Sequence, residues 1–378
     1  MQAGLKDLLS SLEENLDESR IGAAERLHQA ALQWQEVPRL PIIASYPYPQ
    51  EARFQPFPHG EIFTDPEKML FNQLVCAFDT SFILSEQTGD DLPPSIRADF
   101  GCVLIASMFG AEVQQVDDNP PWIRHRAQAL TCEDICRRSS GGFSMDQVDR
   151  ACGRYRFYRD VLAEYPRLSK CVNLTLPDLQ GPFDNLELIR GSDLFLDMQT
   201  CQETFLDAMS VVTAAQIEMV RRFLPLIRET RPGFSHQHGF PLNGGILIRN
   251  DTSIMVSPTM YRELIAPFDE QILKAFGGGI HSCGCVDRIV SSFLSLPSIR
   301  CFDFGQSEQN DVNTIYEWSK KKTIALTRVA VDEERLVSGQ ICREFPTGVS
   351  LLFRAKSADH AKKVVSEYKK ASCRSRGC

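Results

Sequence analysis

The segment GGILIRNDTSIMVSPTMYRELIAPFDEQILKAFGGGIHSCGC, residues 244–285, reads as a strand, a helix and a second strand in direct succession. GGILIRND, 244–251, holds a continuous apolar run rather than an alternating one, as expected of a strand covered on both faces. Residues 257–277 are helical, with Ser257 placed to cap, Pro258 at the first helical position and Gly277 to Gly279 ending the helix. IHSCG, 280–284, then resumes as a strand.

The same alternation continues on both sides. Downstream come the helix VDRIVSSFLSL, the strand 298–304, the helix DVNTIYEWSKK, the strand 323–331, the helix DEERLVSGQICREF, the strand 349–354 and the helix SADHAKKVVSEYKKA. Upstream, IIAS after Pro41, CVLIASMF at 102–109 and VNLTLP from 172 are further strand candidates, with helices expected over 65–87, 145–166 and 204–227. Eight strands separated mostly by helices fit a single (β/α)8 TIM barrel better than an open sheet. Neither G-x-G-x-x-G after an early strand nor a P-loop occurs, which disfavours a doubly wound nucleotide-binding fold. Residues 4–36 read as helix before Pro38 and Pro41. The expected division is an N-terminal helical extension over 1–40, the barrel over 41–372 and a disordered tail over 373–378.

Composition agrees with a globular enzyme-sized chain. Its 378 residues are 43% hydrophobic and 24% charged, which excludes a disordered, collagenous or small disulfide-stapled protein. A net charge of -8 argues against nucleic acid or an anionic membrane as partner. No apolar run approaches the roughly 18 residues of a spanning helix, and the acidic N-terminus has no signal-peptide pattern, so a cytoplasmic location is expected. The thirteen cysteines are scattered, as befits reduced thiols.

Within this frame His281 and Cys283 stand two apart on one strand, so they share a side. At the C-terminal rim of a barrel an imidazole and a thiolate are natural zinc ligands. The structural alternative is a histidine bonded to backbone with Cys283 as a small core residue. Asp178 and Gln180, in LPDLQGPFD, end another strand and are candidates for acid/base work and substrate contact; a turn built on Pro177 and Gly181 is the alternative. Arg249 and Asp251 end a third strand and are further substrate-binding candidates, although Asp251 could equally cap the residues after it. Asp303, ending SIRCFDF, can supply a carboxylate to the same rim. His236-x-His238 precedes a strand and is read as surface or structural. Asp90-Asp91 and Asp117-Asp118 are read as solvated loop charges.

The block S-x-x-x-Y-x-E-x-x-x-P, a helix and a Gly-rich turn into H-x-C-G resembles the uroporphyrinogen decarboxylase superfamily, as do DLQGPFDNLELIRG (178–191) and VAVDEERLVSG, over roughly residues 100–370. The resemblance implies a TIM barrel and one of two chemistries. The decarboxylases hold a polycarboxylated tetrapyrrole with an N-terminal R-Q-A-G-R-Y motif; this chain has RLPIIASYPYP there, with Arg39 as its one arginine. The zinc-dependent methylcobamide:thiol methyltransferases bind zinc with H-x-C and a later cysteine, and His281 and Cys283 match the first two positions. The final strand, VSLLFR, has no cysteine. Of Cys342, Cys301, Cys285 and Asp303, Asp303 is the residue expected to complete the metal set. The implied activity is zinc-dependent transfer of a methyl group from a corrinoid protein to a thiol. No D-x-H-x-x-G sequence occurs, so the corrinoid would come from a partner protein. The partners expected are therefore a small-molecule substrate and that protein, and homodimers are usual in the superfamily. The alternatives are a decarboxylase or lyase acting on a carboxylated substrate, with Asp178 as acid/base, His281 on substrate and Arg249 and Arg328 converging on the cavity, and a barrel that binds without catalysis.

Overall fold

The computed structural model describes residues 3–77, 80–124, 130–237 and 239–375. Eight short parallel strands organise it: β1 (Ile42–Ser45), β2 (Ser95–Ile96), β3 (Asn173–Leu174), β4 (Ile246–Arg249), β5 (Gly278–Ser282), β6 (Ile299–Phe304), β7 (Ala325–Ala330) and β8 (Val349–Arg354). β4 to β8 pair in sequence order, and β8 pairs in turn with β1, giving a six-stranded parallel sheet in which the first strand of the chain lies beside the last. β2 and β3 form a separate parallel pair. The architecture is mixed α/β and barrel-like. Among the described residues no helix is long and apolar enough to cross a membrane.

Seven of the eight expected strands lie where the apolar runs place them; CVLIASMF does not. It forms the helix Leu104–Met108, buried on every side, and the second strand is the two-residue β2 after Pro93-Pro94. A short apolar run buried all round carries no period that separates helix from strand. Two long helices also divide. Residues 4–36 split into Ala3–Asn15 and Glu18–Leu32, because the Asp17 side chain accepts the Arg20 amide and starts a new helix. Residues 65–87 split into Pro66–Val75, with Asp65 capping, and Phe82–Thr88. The last helix, Ala358–Ser375, carries the backbone past the expected start of a tail at 373; residues 376–378 lie outside the described residues. Asp90 and Asp91 are buried rather than solvated, their carboxylates taking the Ala44 and Ile42 amides at the edge of β1.

The glycine triplet has a steric cause. A Cβ on Gly278 would lie 1.9 Å from the Ile246 carbonyl oxygen, and one on Gly279 2.3 Å from the Cys301 sulfur. β5 can therefore sit between β4 and β6 only without side chains at its start. Register then stacks the strands in layers. Leu247, Gly279 and Cys301 align, with Ala325 opposite Cys301, in an apolar layer. Two residues further on, Arg249, His281, Asp303 and Thr327 align in a polar layer at the C-terminal ends of the strands. An antiparallel hairpin, Phe234–Gln237 with Phe240–Asn243, precedes β4 and packs its apolar side chains against the lower layer, Phe234 and Leu242 meeting Leu247, Cys301 and Ala325.

Candidate metal centre

His281 lies on β5 one residue before its end, and Cys283 follows the strand. The imidazole Nε2 lies 3.3 Å from the Cys283 sulfur and 3.7 Å from Asp251 Oδ1. The ligand atoms of Asp251, His281 and Cys283 all fall within 4.8 Å of one another. Tetrahedral zinc with a nitrogen at about 2.05 Å and sulfur at about 2.3 Å separates those two donors by about 3.6 Å, and nitrogen from oxygen by about 3.4 Å. The donor set and its spacing thus fit a borderline-soft divalent ion with a position left open.

Asp251 is fixed from both ends. Its Oδ1 accepts the Cys283 amide at 2.7 Å, while the amides of Asp251 and Thr252 both donate to the buried Asp184 carboxylate. Burial, then the charge of Asp251, pushes the Asp184 carboxyl well above its ordinary value. Burial and Asp251 likewise push the Cys283 thiol up to about 12. The Asp251 carboxylate crowds both a half-buried thiol and a buried carboxyl, and a cation beside it would relieve both costs.

The other nitrogen of His281 is held independently. Asp303 Oδ2 lies 2.7 Å from Nδ1, and the same carboxylate takes Thr327 Oγ1 at 2.6 Å and Arg328 Nε at 2.9 Å. Arg328 Nη2 lies 2.5 Å from Oδ2 and 2.7 Å from Nδ1, so Nδ1 stands between the carboxylate, an acceptor, and the guanidinium, a donor, while Nε2 faces Asp251 and Cys283. Burial alone would raise the Asp303 carboxyl, but Arg328 and His281 outweigh it and hold it well below the usual carboxylate range. Consecutive residues 327 and 328 reach one carboxylate because β7 shifts register between Leu326 and Val329, with Arg328 at φ 58°. Bulges redirect side chains in this way.

Asp303 binds the imidazole on the edge away from Cys283, and the carboxylate beside Nε2 and the Cys283 sulfur is that of Asp251, read from sequence as a substrate contact. Asp178 lies on the adjoining wall. It accepts Arg249 Nη1 at 3.1 Å and Gln180 Nε2 at 2.8 Å, and it faces Arg97 Nη1 at 3.9 Å. Gln180, at φ 53°, also turns its backbone amide onto the same oxygen. Arg249 and Arg328 both point inward, as the decarboxylase alternative requires. Arg97 escapes the sequence patterns, because the two residues of β2 offer no strand period to place it. His238 lies outside the described residues, and His236 is part of a buried cluster with Glu25 and Glu229.

No protein-family model matches the sequence, and no curated protein matches it. The fold is similar to that of a methyltransferase from Methanosarcina mazei, with a TM-score of 0.59 at 13% identity over 90% of this chain and 96% of the other. At that identity the likeness concerns the fold.

Proposed function

We propose that the eight strands close into a (β/α)8 barrel spanning residues 41–372, and that the chain is a zinc-dependent methyltransferase moving a methyl group from a corrinoid protein to a thiol or related acceptor. The observation that carries this reading is the Asp251–His281–Cys283 cluster, whose imidazole presents Nε2 because Asp303 and Arg328 occupy its other edge. The likeness in fold to a protein named methyltransferase adds support. Zinc held there would lower the pKa of an incoming thiol and present it as a thiolate at neutral pH. The chain's own work is positional. Asp251, His281 and Cys283 hold the ion, and Asp184 fixes the backbone that carries Asp251. Asp178, Gln180 and Arg249 form the wall against which a small substrate is oriented. Elemental analysis of the purified protein tests the proposal: about one zinc per chain is expected, and absence of zinc after incubation with the metal would sink it.

One observation favours a second reading, a decarboxylase or lyase on a carboxylated substrate. Arg97, Arg249 and Arg328 converge on the same mouth, with Asp178 between the first two. Paired guanidinium groups suit carboxylates. Turnover of a carboxylated compound undiminished by chelators would favour this reading over methyl transfer.

A further inference from the structure

The hairpin strands Phe234–Gln237 and Phe240–Asn243 pack against side chains of β1, β4, β6, β7 and β8, on the faces where an ordinary α/β barrel has only strand side chains. Its base is anchored. Ser235 Oγ donates to the Gly244 carbonyl at 2.8 Å, and the His236 amide and Nδ1 meet Glu229 at 3.1 and 2.7 Å. The other imidazole nitrogen faces Glu25, on the N-terminal helix Glu18–Leu32, at 3.3 Å. From this base the far end reaches the polar layer. Phe240 packs with Ile43, Leu92 and Leu352, and its ring centroid lies 5.9 Å from Arg328 Cζ. Arg328 is the residue in left-handed backbone that holds Asp303 and the Nδ1 edge of His281.

We propose that this hairpin is a positioning finger for His281: it presents the face of Phe240 to the Arg328 guanidinium and so keeps that group against Asp303 and the imidazole. The inference rests on the metal reading above only for its consequence, since the chain Phe240–Arg328–Asp303–His281 exists without an ion. A non-glycine residue at φ 58° persists only where its surroundings over-determine it. Asp303 supplies one restraint on Arg328 and the aromatic face the other. Phe240 is thus a positioning residue acting through Arg328. A merely structural Phe240 would affect stability when shortened and leave the imidazole tautomer untouched.

The test uses full-length protein labelled with 15N-histidine, with the His281 signals assigned by their loss in His281→Gln. In metal-free wild type a single His281 tautomer is expected, held by the Asp303–Arg328 pair. Phe240→Leu should mix the two tautomers and weaken zinc binding about tenfold in a chelator competition, while Phe240→Tyr keeps both at wild-type values. Arg328→Lys, which loses the planar fork but keeps the charge, should reproduce the Phe240→Leu result if the latter variant does not fold. A folded Phe240→Leu or Arg328→Lys protein with an unmixed tautomer and unchanged zinc affinity overturns the finger and leaves the metal reading standing. Wild type that binds no zinc but mixes tautomers on Phe240→Leu supports the finger and ends the metal reading.

Discussion

His281 and His236 are both buried, and each has a carboxylate oxygen 2.7 Å from Nδ1, yet their second nitrogens meet different company. Beyond Nε2 of His236 stands another carboxylate, Glu25. Beyond Nε2 of His281 stand a thiol and a half-buried aspartate, while a guanidinium shares the Asp303 side. Burial disfavours a charged His236, but Glu25 and Glu229 outweigh it and raise its pKa to about 10. The charge of His236 in turn overrides the burial of Glu25 and lowers that carboxyl to about 2. One imidazole is consumed as a cation in a closed clamp; the other turns its second nitrogen to a thiol and a carboxylate. Residue type and burial alone do not distinguish a structural histidine from a ligand; the charge balance around the second nitrogen does.

The sharpest way to break this contrast is Cys283→Ser. It removes the one soft donor, and zinc is expected to fall from about one per chain to a trace, with the melting temperature of the metal-free protein nearly unchanged. Retention of full zinc would place the ion elsewhere. His236→Gln should have the opposite profile. It leaves the Glu25 carboxylate buried without its cation, at a cost of about 3–5 kcal/mol in urea unfolding, and folded protein should still take up about one zinc per chain.

The clamp also predicts a pH dependence. A histidine held at about 10 when folded and near 6.5 when unfolded contributes stability that is complete below pH 6.5 and lost as pH rises to 10. Glu25, held at about 2 against an ordinary 4.5, contributes above pH 4.5 and loses that contribution as pH falls toward 2. Wild-type stability should therefore decline across pH 6.5–10, and the decline should flatten in His236→Gln. Asp303→Asn probes the other histidine. It frees the Nδ1 edge and strips Arg328 of its anion, so zinc affinity should drop about 10- to 100-fold; an unchanged affinity would show that His281 needs no orienting partner.

These two environments are unequally legible in the sequence. H-x-C after a glycine triplet declares itself because strand alternation puts both side chains on one side, and the fold class follows from apolar runs separated by helices. Asp303 is legible as a strand-end residue but its role is not, since a ligand and the group that orients a ligand occupy equivalent positions on neighbouring strands. Asp251 lies past the end of β4, and its orientation depends on the Asp184 carboxylate 67 residues earlier in the chain. The same holds for the inserted hairpin: Glu25 and His236 meet only because the N-terminal helix packs under the strands, and no local pattern encodes that. Local periodicity wrote the strands and helices; side-chain pairings between distant segments decided which polar groups they serve.

A further buried carboxylate sharpens the contrast, because among the described residues its hydrogen-bond partners are neutral donors. Asp269, on the helix Ala266–Phe276, accepts from Tyr261 Oη at 2.7 Å and Asn250 Nδ2 at 2.5 Å. Burial raises its pKa to about 7 although both donors act in the other direction. Its folded pKa exceeds the ordinary 3.8, so its contribution to stability is present at low pH and is lost as pH rises from about 4 to about 7. Tyr261→Phe removes a donor that favours the charged form. The expected cost is about 1 kcal/mol, larger at pH 8, where the carboxylate is ionised, than at pH 5, where it holds a proton. Urea unfolding at the two pH values reads the difference directly. An equal loss at both would mean that Asp269 does not change its protonation between them.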